Sequence, residues 1–294
     1  MIGGVGYARS WRVSGAMGLN DIAVYVDGTE ATKARVTFAV ALAKEQGAHL
    51  IGIAFAPTAL LPLYGADVGF ADMTEVLQSV KSQSANALEA FKASAAAEGV
   101  KAEARLMQGM SEEFPHDFAH AARHVDLAIL GQPRDGDPLI GQYALVERCL
   151  FASGRPVIIV PASPEKLALK GTLVAAWDGS AEAARSINDA LTFLRPASRV
   201  VLLVGVTAGD EEERAPLTDD MIAHLKRHGV KAEAMRVKLA EGDVGRLLLA
   251  TAKELGADMM VMGAFHHSRW REFILGGVTL TVLEQATIPL FMAH

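Results

Sequence analysis

The chain has 294 residues, 51% hydrophobic and 21% charged, with a formal net charge of −6. That is ample apolar material for one large or two ordinary domains, and far from the polar composition of disorder. The acidic balance excludes a dedicated nucleic-acid binder, which needs a basic face to displace counterions. Apolar runs such as 157–160 and 200–206 are strand-sized, far short of the roughly 20 residues of a membrane-spanning helix.

Residues 1–20 contain Arg9, Arg12 and several glycines but no apolar stretch of signal-peptide length. They read as a loose leader, with Met17 a candidate start. The apolar run 22–26 then ends in Asp27-Gly28-Thr29, a strand meeting a turn. The segment 57–73, with Leu60, Leu61, Leu63, Tyr64 and Phe70, reads as a long apolar loop. A lid or partner contact is one use for it; packing on its own domain or the sister copy is the simpler one.

His116, Asp117, His120 and His124 follow on one predicted helix. Histidines four apart share a helix face and can bind metal. No third ligand is suggested, so the stretch reads as a plain crossover helix and no metal is assigned. After Gly131 come Gln132-Pro133-Arg134-Asp135-Gly136-Asp137-Pro138. Two prolines remove N–H donors and two aspartates repel an anion, so no triphosphate is expected here. The single cysteine, Cys149, makes an intrachain disulfide impossible and fits a reducing, cytoplasmic compartment. It reads as a small buried hydrophobe on a helix.

From here the chain repeats itself. Asp178-Gly179-Ser180 echoes Asp27-Gly28-Thr29. Val230-Lys231-Ala232-Glu233-Ala234 repeats Val100-Lys101-Ala102-Glu103-Ala104 letter for letter. The strand 126–131 returns as 258–263, and each copy closes on a Pro-led apolar strand, Pro156 to Val160 and Pro289 to Met292. Four features recurring in one order define an internal repeat. The expected domains are 21–162 and 171–294, with 163–170 as linker.

Strands in the second copy are predicted at 172–177, 200–207, 231–237, 259–263 and 289–292. Helices are predicted at 181–194, 217–228, 244–255 and 276–285, with Ser180 as an N-cap. The acidic run 210–213 reads as a solvated loop. Alternating short apolar strands and helices give two tandem, doubly wound, five-stranded parallel-sheet α/β domains. Ligands of such sheets bind at the carboxyl ends of the strands, where strand order reverses.

Two segments of the second copy should meet at that point. One is Asp178-Gly179-Ser180. The other runs from Gly263 through His266, His267, Arg269, Trp270, Arg271 and Phe273 to Gly276, Gly277, Val278 and Thr279. Glycines bracket this loop, and a helix start adds oriented N–H groups and partial positive charge, which favour phosphate. Arg269 and Arg271 add charge. His266 and His267 diverge as adjacent residues and form no assigned metal site. Trp270 and Phe273 read as packing residues.

The segment resembles the nucleotide-loop signature of the universal stress protein family, Gly-x2-Gly-x9-Gly-(Ser/Thr), and both copies resemble that family's unit along nearly their whole length. The resemblance implies a Rossmann-like, adenine-nucleotide α-hydrolase-like fold that binds ATP, with or without magnesium. By position Gly263 matches the first glycine, Gly276 the third and Asp178 the acid after the first strand. Val206 is the expected adenine contact, with Gly179, His266, Gly277, Val278 and Thr279 completing the site. His266 stands where a glycine belongs and Gly277 where a hydroxyl belongs, which weakens or alters binding. The family also implies that the final strands of the two copies pair into a pseudo-dimer, which can dimerise again.

No Ser-His-Asp order, paired carboxylates or lysine-bearing phosphate loop appears in a coherent setting, so no catalytic residue is assigned. Three readings follow. The preferred one is an adenine-nucleotide-responsive stress protein, a switch with unknown protein partners and no membrane or nucleic-acid partner. The others are a ligand-free scaffold with both sites decayed, and a slow ATPase.

Overall fold

A computed structural model describes residues 18–59, 70–133, 141–206, 211–239, 243–264 and 277–294, without the side chains of 70–73 and 211–214. The first half runs β1 (Asp21–Tyr25), α1 (Ala31–Gln46), β2 (His49–Pro57), α2 (Phe70–Ala97), β3 (Ala102–Gly109), α3 (Phe114–Ala122), β4 (Leu127–Gly131), α4 (Gln142–Ala152) and β5 (Val157–Val160). The second runs β6 (Thr172–Trp177), α5 (Ala181–Asp189), α6 (Leu191–Leu194), β7 (Arg199–Val206), α7 (Glu211–Arg227), β8 (Ala232–Lys238), α8 (Val244–Glu254), β9 (Met259–Gly263), α9 (Gly277–Gln285) and β10 (Leu290–Ala293).

All ten strands form one sheet in the order β3-β2-β1-β4-β5-β10-β9-β6-β7-β8. Within each half every pairing is parallel. The halves join through β5 and β10, which pair antiparallel with Ile158 opposite Phe291. The strand pairing expected from the resemblance is therefore present within the chain. In each half the order reverses once, between β1 and β4 and between β6 and β9.

The sheet is covered on both faces, as its nearly continuous apolar strands require. Alternate residues of β1 point to opposite sides. Ile22 and Val24 join a core cluster with Phe38, Phe91, Phe193 and Phe291. Ala23 and Tyr25 join the other, with Phe55, Phe114, Phe118, Met260 and Leu290. Each cluster draws on both halves, so the halves share their core. Cys149 lies fully buried in the second cluster, where desolvation pushes its thiol far up. It should stay unreactive to a thiol reagent in the native protein and react fully once unfolded; rapid labelling of native protein would contradict this placement.

Several boundaries differ from expectation. The helix expected over 181–194 is two, α5 and α6, separated at Ala190 (φ −82°, ψ −1°). Of the acidic run 210–213, residues Glu211 to Glu213 lie in the backbone of α7 rather than in a loop, and Asp210 lies outside the described residues. Phe70 to Met73, assigned to the apolar loop, begin α2. Leu60, Leu61, Leu63 and Tyr64 lie outside the described residues, as do residues 1–17. Among the described residues no helix is long and apolar enough to cross a membrane.

Candidate functional site

Two strand ends and two helix starts converge at the β6–β9 reversal. β6 ends at Trp177, and the chain turns through Asp178 and Gly179, whose φ of 84° is a left-handed conformation open to glycine at little cost. Asp178 Oδ1 accepts the N–H of Ser180 at 2.9 Å. Ser180 caps α5, its Oγ accepting the N–H of Ala183 at 3.1 Å. On the neighbouring strand, Gly263 ends β9 under the start of α5. A Cβ there would lie 2.6 Å from the Ala183 nitrogen and 2.7 Å from the Glu182 carbonyl carbon. The glycine expected to open the loop is thus needed for close approach of two backbones. α9 starts at Gly277, and its first N–H groups have no partner within the helix.

Between these parts lies a cavity of about 480 Å³. Its walls are apolar: Ala176 and Trp177 of β6, Leu203 and Gly205 of β7, Leu239 just after β8, Val244 and Leu248 of α8, Met262 of β9 and Val278 of α9. Asp178, Ser180 and Thr279 supply the polar side chains among the described lining. This combination, apolar walls with a few convergent polar groups and a volume of several hundred Å³, is the usual form of a small-molecule site. α8 and α9 are fastened beside it. Thr281 Oγ1 donates to Asp243 Oδ2 at 2.9 Å, and Asp243 Oδ1 caps α8 by accepting from Gly245 and Arg246. Desolvation pushes the Asp243 carboxyl up, but the bonds from Thr281, Arg246 and Gly245 and the Arg246 charge outweigh it and hold it below the ordinary value.

Of the residues expected at this site, Asp178, Gly263, Gly277, Val278 and Thr279 line the cavity, and Gly179 shapes the turn beside it. Val206 does not line it. Side chains alternate along β7, so Leu203 and Gly205 face the cavity while Val206 packs into the core cluster on the opposite face. His266, Gly276, Arg269, Arg271, His267, Trp270 and Phe273 lie outside the described residues. The sequence reading overlooked the walls contributed by Gly205, Leu239, Val244 and Leu248. On the other candidate surface, His120 and His124 stand with ring centroids 6.1 Å apart. Among the described residues no group of three or more His, Cys, Asp or Glu is placed to hold a metal ion.

The same place in the first half is filled from within. Strand register equates Tyr25 with Ala176 and Ile53 with Leu203, hence Phe55 with Gly205. Counted from the N-caps Glu113 and Asp243, Phe114 matches Val244 and Phe118 matches Leu248. The four aromatic rings pack together, with centroids 4.5 Å apart for Phe55–Phe114, 5.4 Å for Tyr25–Phe114 and 5.8 Å for Phe114–Phe118. Such pairs add about 0.5–1.5 kcal/mol each beyond their burial.

The polar end is filled as well. Arg35 stands eight residues after Asp27, where the second half has Ser186 eight residues after Asp178. Its guanidinium donates to the Tyr25 carbonyl at 2.6 Å, to Asp27 Oδ2 at 2.6 Å and to Thr32 Oγ1 at 2.9 Å. It also covers Gly131, where any Cβ would fall on Arg35 Nη1. The pair is nearly sealed, the side chains only 3% and 13% exposed for Arg35 and Asp27. Desolvation raises the Asp27 carboxyl, but the Arg35 charge and the bonds from Thr29 and Thr32 outweigh it and hold it low. In the second half Ser186 is too short to reach the cavity and instead bonds Met262 O and Ala293 O.

Fold and site together define a tandem Rossmann-like α/β protein with one open and one filled strand-reversal site. Residues 155–294 match the universal stress protein family, and this second half of the chain belongs to that family. A universal stress protein of Synechocystis is 28% identical over 153 residues, 50% of this chain and 49% of that protein. The chain thus spans about half the length of this curated relative. Among solved structures, a universal stress protein from Archaeoglobus fulgidus covers 93% of this chain and 96% of its own with a TM-score of 0.69 at 17% identity. A protein of unknown function from Pseudomonas aeruginosa covers 94% and 92% with a TM-score of 0.58 at 13% identity. At these identities the likeness shows the fold, over both halves.

Proposed function

We propose that the second half binds an adenine nucleotide in the cavity at the β6–β9 reversal and that the chain acts as a nucleotide-responsive stress protein. The observation that carries this reading is the contrast between the halves. One fold keeps its reversal site open where the other closes it with four aromatic rings and a guanidinium. The apolar walls from Trp177 to Leu248 suit a purine base and sugar, and the Gly277 end of α9 suits phosphate oxygens. The match of residues 155–294 to the universal stress protein family, together with the resemblance of the loop to that family's nucleotide signature, supports adenine and ATP as the ligand class, with or without magnesium. Bound ligand would hold α5, α8 and α9 in one arrangement and so bias the surface offered to protein partners, with no turnover required.

The test is chemical. Gently purified protein is denatured, and any released nucleotide is identified by liquid chromatography and mass spectrometry. ATP, ADP or AMP near one equivalent is the expected result. An empty protein whose melting temperature is unmoved by millimolar ATP and magnesium would remove the nucleotide reading and leave a scaffold in its place.

A further inference from the structure

α9 faces the cavity with one end and the first half with the other. The last carbonyls of a helix have no partner within it. Here they are met by Gln132, whose Nε2 donates to Leu283 O at 2.9 Å, Glu284 O at 3.0 Å and Ala286 O at 3.0 Å. Donors at this end also complement the negative pole of the helix. Gln132 follows the last residue of β4 and is itself fixed, its backbone N–H donating to Val160 O at 3.0 Å. Tyr143, in the first turn of α4, donates from its hydroxyl to Glu284 Oε1 at 2.9 Å. Two residues beside the filled reversal site of the first half therefore hold the far end of the helix that opens the cavity of the second.

The second half has no counterpart of Gln132 among the described residues. Ala264 follows Gly263 as Gln132 follows Gly131, and it has no side-chain donor. The last turn of α4 is capped from its own half, by Ser153 Oγ on Cys149 O and by Arg123 Nε on Ala152 O at 3.0 Å. The second half does reach the end of α4, where Arg185 Nη2 donates to Gly154 O at 3.2 Å and the His294 ring packs on Phe151 at 4.2 Å between centroids, but these contacts lie beside the last carbonyls of α4, whereas Gln132 bonds the last carbonyls of α9 directly.

We propose that Gln132 is a positioning residue for the second-half site, so that the first half sets the affinity of a cavity to which it contributes no wall among the described residues. The ligand class rests on the function proposed above; the mechanical role of Gln132 does not. A nine-residue helix is a rod of about 14 Å, and fixing its C-terminal end fixes where its N-terminal N–H groups stand. By linkage, a ligand drawn to the Gly277 end must in turn strengthen the Gln132 clasp.

The experiment compares full-length wild type with Gln132→Met, which keeps the side-chain length and removes both donors, and with the milder Tyr143→Phe. Amide hydrogen exchange is followed across α9 without ligand, and ATP with magnesium is titrated in parallel. The expected result is faster exchange at Thr281 and Val282, whose N–H groups close the first turn of α9 rather than the turn Gln132 caps, with ATP binding weakened about tenfold. A cap that acts only locally would speed exchange near Ala286 and leave Thr281, Val282 and the affinity unchanged, which overturns the proposal. If wild type binds no ATP, the nucleotide function falls by itself. Exchange at Thr281 and Val282 then decides: raised exchange upholds the role of Gln132 and unchanged exchange refutes it.

Discussion

Replacing Arg35 by alanine is expected to destabilise the protein by about 3–5 kcal/mol, because it removes one member of a buried ion pair and strands the other. The loss includes three hydrogen bonds, to the Tyr25 carbonyl, Asp27 and Thr32, and the contact over Gly131. Arg35→Lys should recover only part of it, since a single ammonium cannot match the spread of the guanidinium fork. The deficit carries a pH signature. In wild type the folded Asp27 pKa lies below its ordinary value of 3.8. Its stabilising contribution is therefore complete above that value and is lost as pH falls through the lower folded value. In Arg35→Ala the orphaned carboxylate gains by protonation, so the gap between variant and wild type should narrow below about pH 4. Urea denaturation at pH 7 and pH 3.5 measures both points. A variant as stable as wild type at pH 7 would mean the plug contributes nothing to the fold.

Gly205→Phe should do the opposite: leave the fold intact and abolish ligand binding. Phe55 occupies the matching position in the first half, so the exchange imposes on the second half the packing that already closes the first. The nearest obstacle to a Cβ at 205 is the Leu239 Cδ1 at 2.9 Å, the movable end of a side chain. Glycine inside a strand is itself a weak point, and the net stability change should stay within about 1 kcal/mol. ATP affinity should fall about a hundredfold or more, equivalent to about 2.8 kcal/mol. Calorimetric titration beside a thermal melt separates the two effects. Unchanged affinity in a folded Gly205→Phe protein would show that the ligand lies elsewhere.

Much of the architecture was legible in the sequence because it rests on patterns of known period. The echo of Asp27-Gly28-Thr29 in Asp178-Gly179-Ser180 revealed two copies, and short apolar runs between helices revealed a covered parallel sheet. The strand-end residues Asp178 and Gly263 and the helix start at Gly277 were legible for the same reason: loops at a strand reversal have a fixed place in the chain. The walls were not. Choosing Gly205 over Val206 requires knowing which face of β7 meets α8, and a run apolar at nearly every position carries no alternation to reveal it. The sealing of the first half was harder still. Phe55, Phe114 and Phe118 look like ordinary core, and what they replace appears only when strand register aligns them with Gly205, Val244 and Leu248. Arg35 did leave a signal: a lone arginine among the buried positions Thr32, Val36 and Ala39 of α1, where the second copy has Ser186. Gln132 left none, since a side-chain amide capping a helix 151 residues away follows only from the joining of β5 to β10.

The asymmetry of the two halves is tested most directly by binding stoichiometry. Equilibrium dialysis of the intact chain against labelled ATP with magnesium should saturate at one nucleotide per chain. Two per chain would show that the aromatic cluster and Arg35 do not close the first half. No binding at concentrations up to several millimolar would show that the open cavity of the second half is not a nucleotide site.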